Sequence, residues 1–276
     1  MSMRTYKVSA GRAGRSLVDF LAAMLGTSKK RAKGLLDARV VFVNGQRIWM
    51  ARHPVARGDV VEVMEPEPGG ERKEIRILHE DAEYLVVDKP PGLLSTGEGS
   101  IETLLQRTRG NPLLRSGHRL DRETSGCLIM ARSPAAFDAL VEVFRAHNVR
   151  KHYQAIVAGR LKTDGEIIRT SSGNRIWLTR IRTLDCNKQA SHLAVTIETG
   201  KTHQIRRHLS HVEHPVLGDK RYGTRNSLDE LRMQIPRQML HAHVVEFTHP
   251  ATRQPVRVTA PLPHDFRAVL KAYRLT

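Results

Sequence analysis

The chain is poor in several residue types, and each shortage excludes something. It holds two cysteines, Cys127 and Cys186, in 276 residues. Two are too few for a disulfide framework, and they fit a reducing cytosol. Aromatic residues make up 5%, which argues against a broad aromatic platform for stacking bases. No apolar run reaches the roughly 18 residues that a membrane-spanning helix needs, so no membrane partner is expected. The opening Met-Ser-Met-Arg-Thr-Tyr-Lys lacks the apolar core of a secretory signal. Acidic residues are few: 28 Asp and Glu stand against 45 Lys and Arg, for a formal net charge of +17. A field of that sign favours a polyanionic partner, nucleic acid first and an acidic membrane surface as the rival. With so few aromatics, phosphate contacts and the shape of folded RNA suit the composition better than base stacking. The length suffices for one large or two ordinary domains, and 40% hydrophobic residues suffice for a packed core.

Residues 12 to 64 read as a small basic α/β module. Leu17, Phe20, Leu21, Met24 and Leu25 recur at helical spacing, and Gly26 can end that helix. Ser28 can cap a second helix that carries Lys29, Lys30, Arg31 and Lys33 ahead of Leu35 and Leu36. Val40 to Val43 make a strand, Asn44-Gly45 a turn, and Val60, Val61 and Val63 a closing strand. A charged helix face of this kind is commonly just solvated, and equally can lie on phosphates. Residues 1–66 are assigned to this module. The Pro- and Gly-rich stretch at 67–73 is a linker by composition, and 74–276 form the second domain.

The second domain opens with strands at Ile75–Leu78 and Tyr84–Lys89 joined by an acidic turn, followed by the rigid bend Pro90-Pro91-Gly92. Ser100 can cap a short helix through Leu104 and Leu105, and Ser133-Pro134 starts another. A strand follows at Lys151–Val157, with Tyr153, Ala155 and Val157 on one face. Residues 161–190 are polar and yield no functional reading. Val244–Phe247 and Pro255–Val258 finish the sheet, and Phe266, Val269, Leu270 and Tyr273 mark a terminal amphipathic helix.

Two stretches are dense in chemistry. In His118-Arg119-Leu120-Asp121-Arg122-Glu123-Thr124-Ser125-Gly126, one carboxylate stands between two arginines, and Gly126 allows a tight path into the next strand. An acid beside cations stays ionised. It can serve as nucleophile or base, or simply as a salt bridge at a strand end. In Gly200-Lys201-Thr202-His203-Gln204-Ile205-Arg206-Arg207-His208-Leu209, Gly-Lys-Thr suggests a phosphate loop, but Val195 stands where the leading glycine is needed. His203, His208, His211 and His214 suggest zinc, and a metal-dependent hydrolase is one rival, but no Cys or carboxylate completes a ligand pattern. No metal and no cofactor is expected.

The nine residues from His118 to Gly126 resemble the signature of the H-R-L-D family of RNA pseudouridine synthases. Val87-Asp88-Lys89-Pro90-Pro91-Gly92-Leu93, Lys151-His152-Tyr153-Gln154-Ala155, the His203-Gln204-Ile205-Arg206 block, Gly218-Asp219-Lys220-Arg221-Tyr222-Gly223 and Leu240-His241-Ala242 resemble further family blocks. The chain departs in Lys201, where Arg is usual, and in Glu213, where Gly often precedes His-Pro. The resemblance implies an α+β fold with a central mixed, mainly antiparallel sheet and a catalytic cleft. It implies catalysis by Asp121, with Arg206 pairing with it and Tyr153 stacking on the detached ring and taking the carbon-5 proton. It implies substrate contacts from His118, Arg119, Lys201 and Leu240, with Arg119 as the wedge that replaces a flipped base.

The order of elements in the first module resembles the S-four-type alpha-L RNA-binding domain, which would set Lys29, Lys30 and Lys33 against phosphates. The reading is therefore a monomeric, cytoplasmic RNA pseudouridine synthase acting on ribosomal large-subunit RNA, or on transfer RNA. A non-catalytic RNA-binding protein or ribosome assembly factor is the alternative.

Overall fold

The computed structural model describes residues 2–37, 40–65, 75–172, 175–223 and 235–276. The chain divides into two compact units, Met1–Glu74 and Ile75–Thr276. The expected linker, 67–73, lies outside the described residues.

In the first unit, β1 (Ser2–Lys7), β2 (Val41–Val43), β3 (Gln46–Arg47) and β4 (Val60–Glu65) form an antiparallel sheet in the order β1-β4-β2-β3. Strand β1 is absent from the sequence reading. Its Arg4, Thr5 and Lys7 carry no apolar alternation, and it is held by its register with β4. The helices are α1 (Leu17–Leu25) and α2 (Lys29–Asp37). Ser16 caps α1 by accepting from Asp19 N, and Gly26 ends it in the left-handed region at φ 60°. Asn44 and Gly45, at φ 52° and 76°, make the two-residue turn whose twist suits a hairpin. Leu17, Phe20, Leu21, Ala32, Leu36, Val41, Val61 and Val63 are fully buried and form the core. That burial leaves Lys29, Lys30 and Lys33 on the solvent side of α2.

The second unit carries β5 (Ile77–Glu80), β6 (Tyr84–Lys89), α3 (Ile101–Thr108), β7 (Arg115–Ser116), β8 (Ser125–Ala131) and α4 (Pro134–Arg145). It continues with β9 (Val149–Ala158), β10 (Asp164–Ser172), β11 (Arg175–Cys186), β12 (Ala190–Ile197) and α5 (Gln204–His211). The unit ends with β13 (Leu240–Thr248), β14 (Pro255–Thr259) and α6 (His264–Ala272). Ser100 and Ser133 cap α3 and α4 through their side chains.

One ten-stranded sheet runs β10-β11-β12-β9-β13-β8-β6-β5, with β14 added on β13 and β7 on β8. Residues 161–190, unread in the sequence, supply most of the β10–β11 hairpin at one edge. The fold is thus α+β around a mixed, mainly antiparallel sheet, and the β13–β8 pairing is parallel. Apolar clusters cover both faces of that sheet. Strand β8 lies between them and is buried at every position, which explains its continuous apolar run rather than an alternating one.

Candidate active site

The cleft forms where β8 and β13 meet. Their parallel pairing lasts for two positions, His241 with Ser125 and Ala242 with Gly126. Gly126 sits at φ 110°, and a Cβ there would fall onto the backbone carbonyl of Ala242. Only glycine permits this approach. The loop that enters β8, residues 117–124, therefore emerges beside the start of β13 and opposite Tyr153 of β9, which is in register with Ala242.

That loop is clamped from below. Lys89 is fully buried, and its Nζ donates to the carbonyls of Pro90 and Leu93 at 2.9 Å each and of Arg122 at 3.1 Å. Burial pulls its pKa down to about 8. Ser95 Oγ donates to Leu120 O at 3.0 Å and accepts from Leu120 N at 2.9 Å. Gly92 N donates to Arg122 O at 2.9 Å. Four points thus fix the backbone on both sides of Asp121.

Arg206, on α5, donates from Nη1 to Asp121 Oδ2 at 2.7 Å. Its other edge is held by Asp219, with Nε to Oδ2 at 2.6 Å and Nη2 to Oδ1 at 2.8 Å. The Asp219 side chain has no exposure at all. Its Oδ1 also accepts from the backbone N–H groups of Arg221 and Tyr222. Burial works to raise the Asp219 pKa, but Arg206 and these N–H bonds outweigh it and hold the pKa below the ordinary value. Burial likewise opposes the charge on Arg206, and its two carboxylate partners more than compensate. The ring of Tyr222 lies under the guanidinium, 5.2 Å from Arg206 Cζ.

The second oxygen of Asp121, Oδ1, has His203 Nε2 at 3.7 Å, too far for a direct hydrogen bond. His203 stands just before α5 in the left-handed region at φ 56°, and its Nδ1 shares a hydrogen bond with the Tyr222 hydroxyl at 3.1 Å. Burial lowers its pKa, opposed by Asp121, which favours the neutral imidazole. Gln238 Nε2 donates to Thr124 Oγ1 at 2.7 Å and reaches Asp121 Oδ2 at 3.5 Å.

Two adjoining hollows, about 410 and 1110 Å³ with their mouths included, share Asp121, Arg119, Lys201, His203 and Arg206 in their walls. Tyr153 and Leu240 line the smaller one. Tyr153 is 7% exposed, and burial first and Asp121 second push its phenol pKa upward. Its face suits stacking on a ring held in the smaller hollow. Arg119 and Lys201 are exposed at the mouth, where cations can meet phosphates.

His118, the expected substrate contact, is turned into the fold. It lines neither hollow. Its Nε2 accepts from Ile129 N at 3.1 Å, its ring packs 5.2 Å from that of Phe144, and burial drives its pKa down to about 3. A neutral imidazole here satisfies a strand N–H where β8 has parted from β13. The arginine partner of Asp121 is also not a sequence neighbour, since Arg122 Nε donates to Gly92 O at 3.1 Å. In the first unit, Lys29 Nζ pairs with Asp19 at 2.7 Å, while Lys30 and Lys33 are exposed on α2.

The four histidines of the 203–214 stretch do not converge. His203 faces Asp121, His214 Nδ1 is hydrogen-bonded to Ala158 O at 2.8 Å, and His208 is buried. Among the described residues no group of three or more His, Cys, Asp or Glu is placed to hold a metal ion. Glu213 takes φ 63°, the conformation a glycine would adopt more cheaply.

Sequence reasoning passed over Asp219, Lys89, Ser95, Gln204 and Gln238. Gln204 is buried. Its Nε2 donates to Leu178 O at 2.9 Å, and its Oε1 accepts from Thr199 Oγ1 and Lys201 N, tying α5 to β11 and to the loop after β12. Asp219 carried a signal, an acid inside a glycine-bounded block, but nothing local named its partner.

The fold is one shared with solved pseudouridylate synthase structures. Two solved human structures share the architecture, each with a TM-score of 0.60. RNA Pseudouridylate Synthase Domain Containing 4 is 23% identical and covers 72% of this chain and 93% of its own. Domain Containing 1 is 24% identical and covers 77% and 98%. A family profile described as RNA pseudouridylate synthase matches residues 83–211. Ribosomal large subunit pseudouridine synthase D of Xylella fastidiosa is 33% identical over 87% of this chain and 79% of its own length. Ribosomal large subunit pseudouridine synthase C of Vibrio vulnificus is 31% identical over 95% and 94%. The chain belongs to the RNA pseudouridylate synthase family, and its activity is the isomerisation of uridine to pseudouridine in RNA.

Proposed function

We propose that this protein isomerises uridine in ribosomal large-subunit RNA, with Asp121 as the catalytic group. The observation that carries the assignment to Asp121 is its hydrogen bond from Arg206 in a cleft lined by Tyr153 and Leu240. The ribosomal target follows from relatives named for it at about one-third identity over most of the chain.

The reaction breaks the bond between ribose carbon 1′ and uracil nitrogen 1. The ring then turns and rejoins through carbon 5, and the proton lost from carbon 5 is balanced by one gained at nitrogen 1. No electrons leave the system. Arg206 and Gln238 engage Oδ2, which leaves Oδ1 to face the cavity. That oxygen can attack carbon 1′ or carbon 6, or take the ribose 2′ proton, and the arrangement serves each route. Tyr153 covers the detached ring and keeps it from diffusing away. Tyr153, and Asp121 once released from any adduct, both line the hollow as acceptors for the carbon-5 proton.

A uridine inside folded RNA must be flipped out to reach the cleft, at a cost of a few kcal/mol. Arg119, exposed at the mouth, has the reach to enter the vacated stack. Lys201 there, and Lys30 and Lys33 on α2, supply phosphate contacts. Lys29 contributes less, being partnered by Asp19. A monomer acting in the cytoplasm completes the reading, and both cysteines are free thiols, as a reducing compartment leaves them.

The test is pseudouridine mapping of cellular RNA with and without the protein, paired with Asp121→Asn. Loss of one ribosomal pseudouridine, restored by wild type and not by Asp121→Asn, is the expected result. Sites lost only from transfer RNA would overturn the target, and full activity in Asp121→Asn would overturn the role of the carboxylate. RNA affinity should stay within a few fold in the variant.

A further inference from the structure

His203 lines both hollows and makes no direct hydrogen bond to Asp121. It stands at the N-cap of α5, where a residue ordinarily takes extended backbone and turns its side chain back onto the first helical N–H groups. His203 does neither. Its backbone is left-handed, at φ 56° and ψ 26°, and its side chain makes no cap bond. That conformation is unfavourable for a residue with a Cβ. The surroundings enforce it: Gln204 N donates to Lys201 O at 3.0 Å, Arg207 N to His203 O at 2.9 Å, and the buried Gln204 side chain ties the helix start to Leu178 O. The ring is thereby turned away from the helix and into the cleft.

The tautomer follows from the two neighbours of the ring. Nδ1 lies 3.1 Å from the Tyr222 hydroxyl, and Nε2 lies 3.7 Å from Asp121 Oδ1. A bare Nε2 would set its lone pair against a carboxylate, whereas an Nε2–H is drawn to it. Tyr222 therefore donates to Nδ1, and Nε2 carries the proton. Tyr222 is itself fixed. Its N donates to Asp219 Oδ1 at 3.0 Å, its carbonyl accepts from Ser210 Oγ at 2.9 Å, and its ring lies under Arg206. One tyrosine thus seats both groups that face Asp121, the guanidinium on Oδ2 and the imidazole beside Oδ1. Among the described residues, the Nε2–H of His203 has no acceptor within hydrogen-bond distance.

We propose that His203 is a catalytic residue, whose Nε2–H donates to the 2-carbonyl oxygen of the flipped uracil as the bond from carbon 1′ to nitrogen 1 breaks. The electron pair of that bond stays with the ring, and its charge spreads from nitrogen 1 onto the carbonyl oxygens. The 2-carbonyl adjoins nitrogen 1, so it lies beside the sugar carbons on which Asp121 acts. A donor 3.7 Å from Oδ1 is placed for that oxygen, while the 4-carbonyl lies across the ring. No proton leaves the imidazole. A neutral imidazole polarises a carbonyl in this way by hydrogen bonding alone. Burial, which holds the His203 pKa below its ordinary value, keeps the ring in that neutral form. The role rests on the proposed function, in which Asp121 acts on the sugar of a uridine.

The experiment uses the full chain and a large-subunit RNA transcript carrying uridine or 2-thiouridine at the modified position. His203→Leu should slow single-turnover isomerisation of uridine by about 100- to 1000-fold, the usual loss for one such donor, with RNA affinity little changed. His203→Gln keeps an N–H and should recover part of that loss. The decisive measurement is a cycle between protein and substrate. Sulfur accepts hydrogen bonds poorly, and its effect on the leaving ring is common to both enzymes and cancels. The rate penalty for sulfur should be about 10-fold larger in wild type than in His203→Leu. Should His203→Leu not fold, His203→Asn, which tolerates the left-handed backbone and carries a shorter side chain, takes its place in the cycle with the same expected result. Equal sulfur penalties, or wild-type rates in His203→Leu, would overturn the role. So would a variant that loses RNA affinity and keeps its single-turnover rate. Isomerisation that needs Asp121 but shows equal sulfur penalties would defeat the role of His203 alone. Absence of isomerisation by wild type would defeat the proposed function and this role with it.

Discussion

Arg206 gives Asp121 a single N–H, from Nη1 to Oδ2 at 2.7 Å, because its Nε and Nη2 edge is taken by Asp219. The guanidinium is aimed by one carboxylate so that it can hold another. Asp219, fully buried and beyond reach of any substrate in the hollows, acts through Arg206 and is a positioning residue.

Asp219→Asn should therefore slow the chemical step on the order of 100-fold, as small misplacements of reacting groups do, with little change in RNA affinity. Breaking a buried pair also costs stability, about 3 kcal/mol or more. The sign with pH follows from a folded pKa lying below the ordinary 3.8. The stabilisation from Asp219 is complete above the ordinary value and is lost as pH falls through the folded one. Single-turnover rates and acid unfolding curves check both parts. The variant should show a shallower loss of stability below about pH 4. A variant with wild-type rates would remove Asp219 from the positioning of Arg206.

Lys89 ties the loop that carries Asp121, through Arg122 O, to the bend after β6, through Pro90 O and Leu93 O. Lys89→Met would remove a donor from all three carbonyls, with Arg122 O keeping Gly92 N, at about 1–3 kcal/mol for each carbonyl left buried and unpaired. Thermal unfolding should show the loss, with activity reduced more than RNA binding. Because burial lowers the Lys89 pKa to about 8, wild-type turnover should decline as pH rises through that value and the ammonium loses its third donor. A flat rate profile from pH 7 to 10 would separate loop order from the charge on Lys89.

Gly126 is the point of closest approach between β8 and β13. Gly126→Ala adds a Cβ against the Ala242 carbonyl and forces an unfavourable positive φ. Strain and overpacking together should cost about 3 kcal/mol or more. The expected result is a lower unfolding temperature and a disordered cleft. Normal stability would show that the two strands can part without consequence.

Lys30 and Lys33 test the basic helix. If both lie against phosphates, Lys30→Ala with Lys33→Ala should weaken long RNA and lower the slope of log affinity against log salt by about 2. Turnover at saturating substrate should not change. An unaltered slope would leave α2 a solvated face.

Much of this molecule could be read locally. Ser28, Ser100 and Ser133 before their helices, Gly26 after α1, and Asn44-Gly45 between strands act through bonds only a few residues long, and each appears where its chemistry requires. The apolar run of β8 is visible as well, because a strand covered on both faces carries apolar residues at successive positions. The polar stretch 161–190 was not, because a hairpin at the sheet edge is fixed by pairing with β12 rather than by its own pattern.

The catalytic candidates divide in the same way. Asp121, Tyr153 and Arg206 stood out by their surrounding strings, as did Leu240, Arg119 and Lys201. His118 stood in the same string and turned inward, since its neighbours in space, Ile129 N and Phe144, belong to other elements.

Sequence by itself determined the helices, the turns, the charge that draws RNA and the string that holds the carboxylate. Tertiary structure decided which groups meet. Arg206 finds Asp219 thirteen residues on and Asp121 eighty-five residues back. Strand order brings those segments together, and strand order is a property of the whole sheet. Capping and periodicity act over one or two turns of chain, whereas a charge pair across the cleft depends on every strand between its partners.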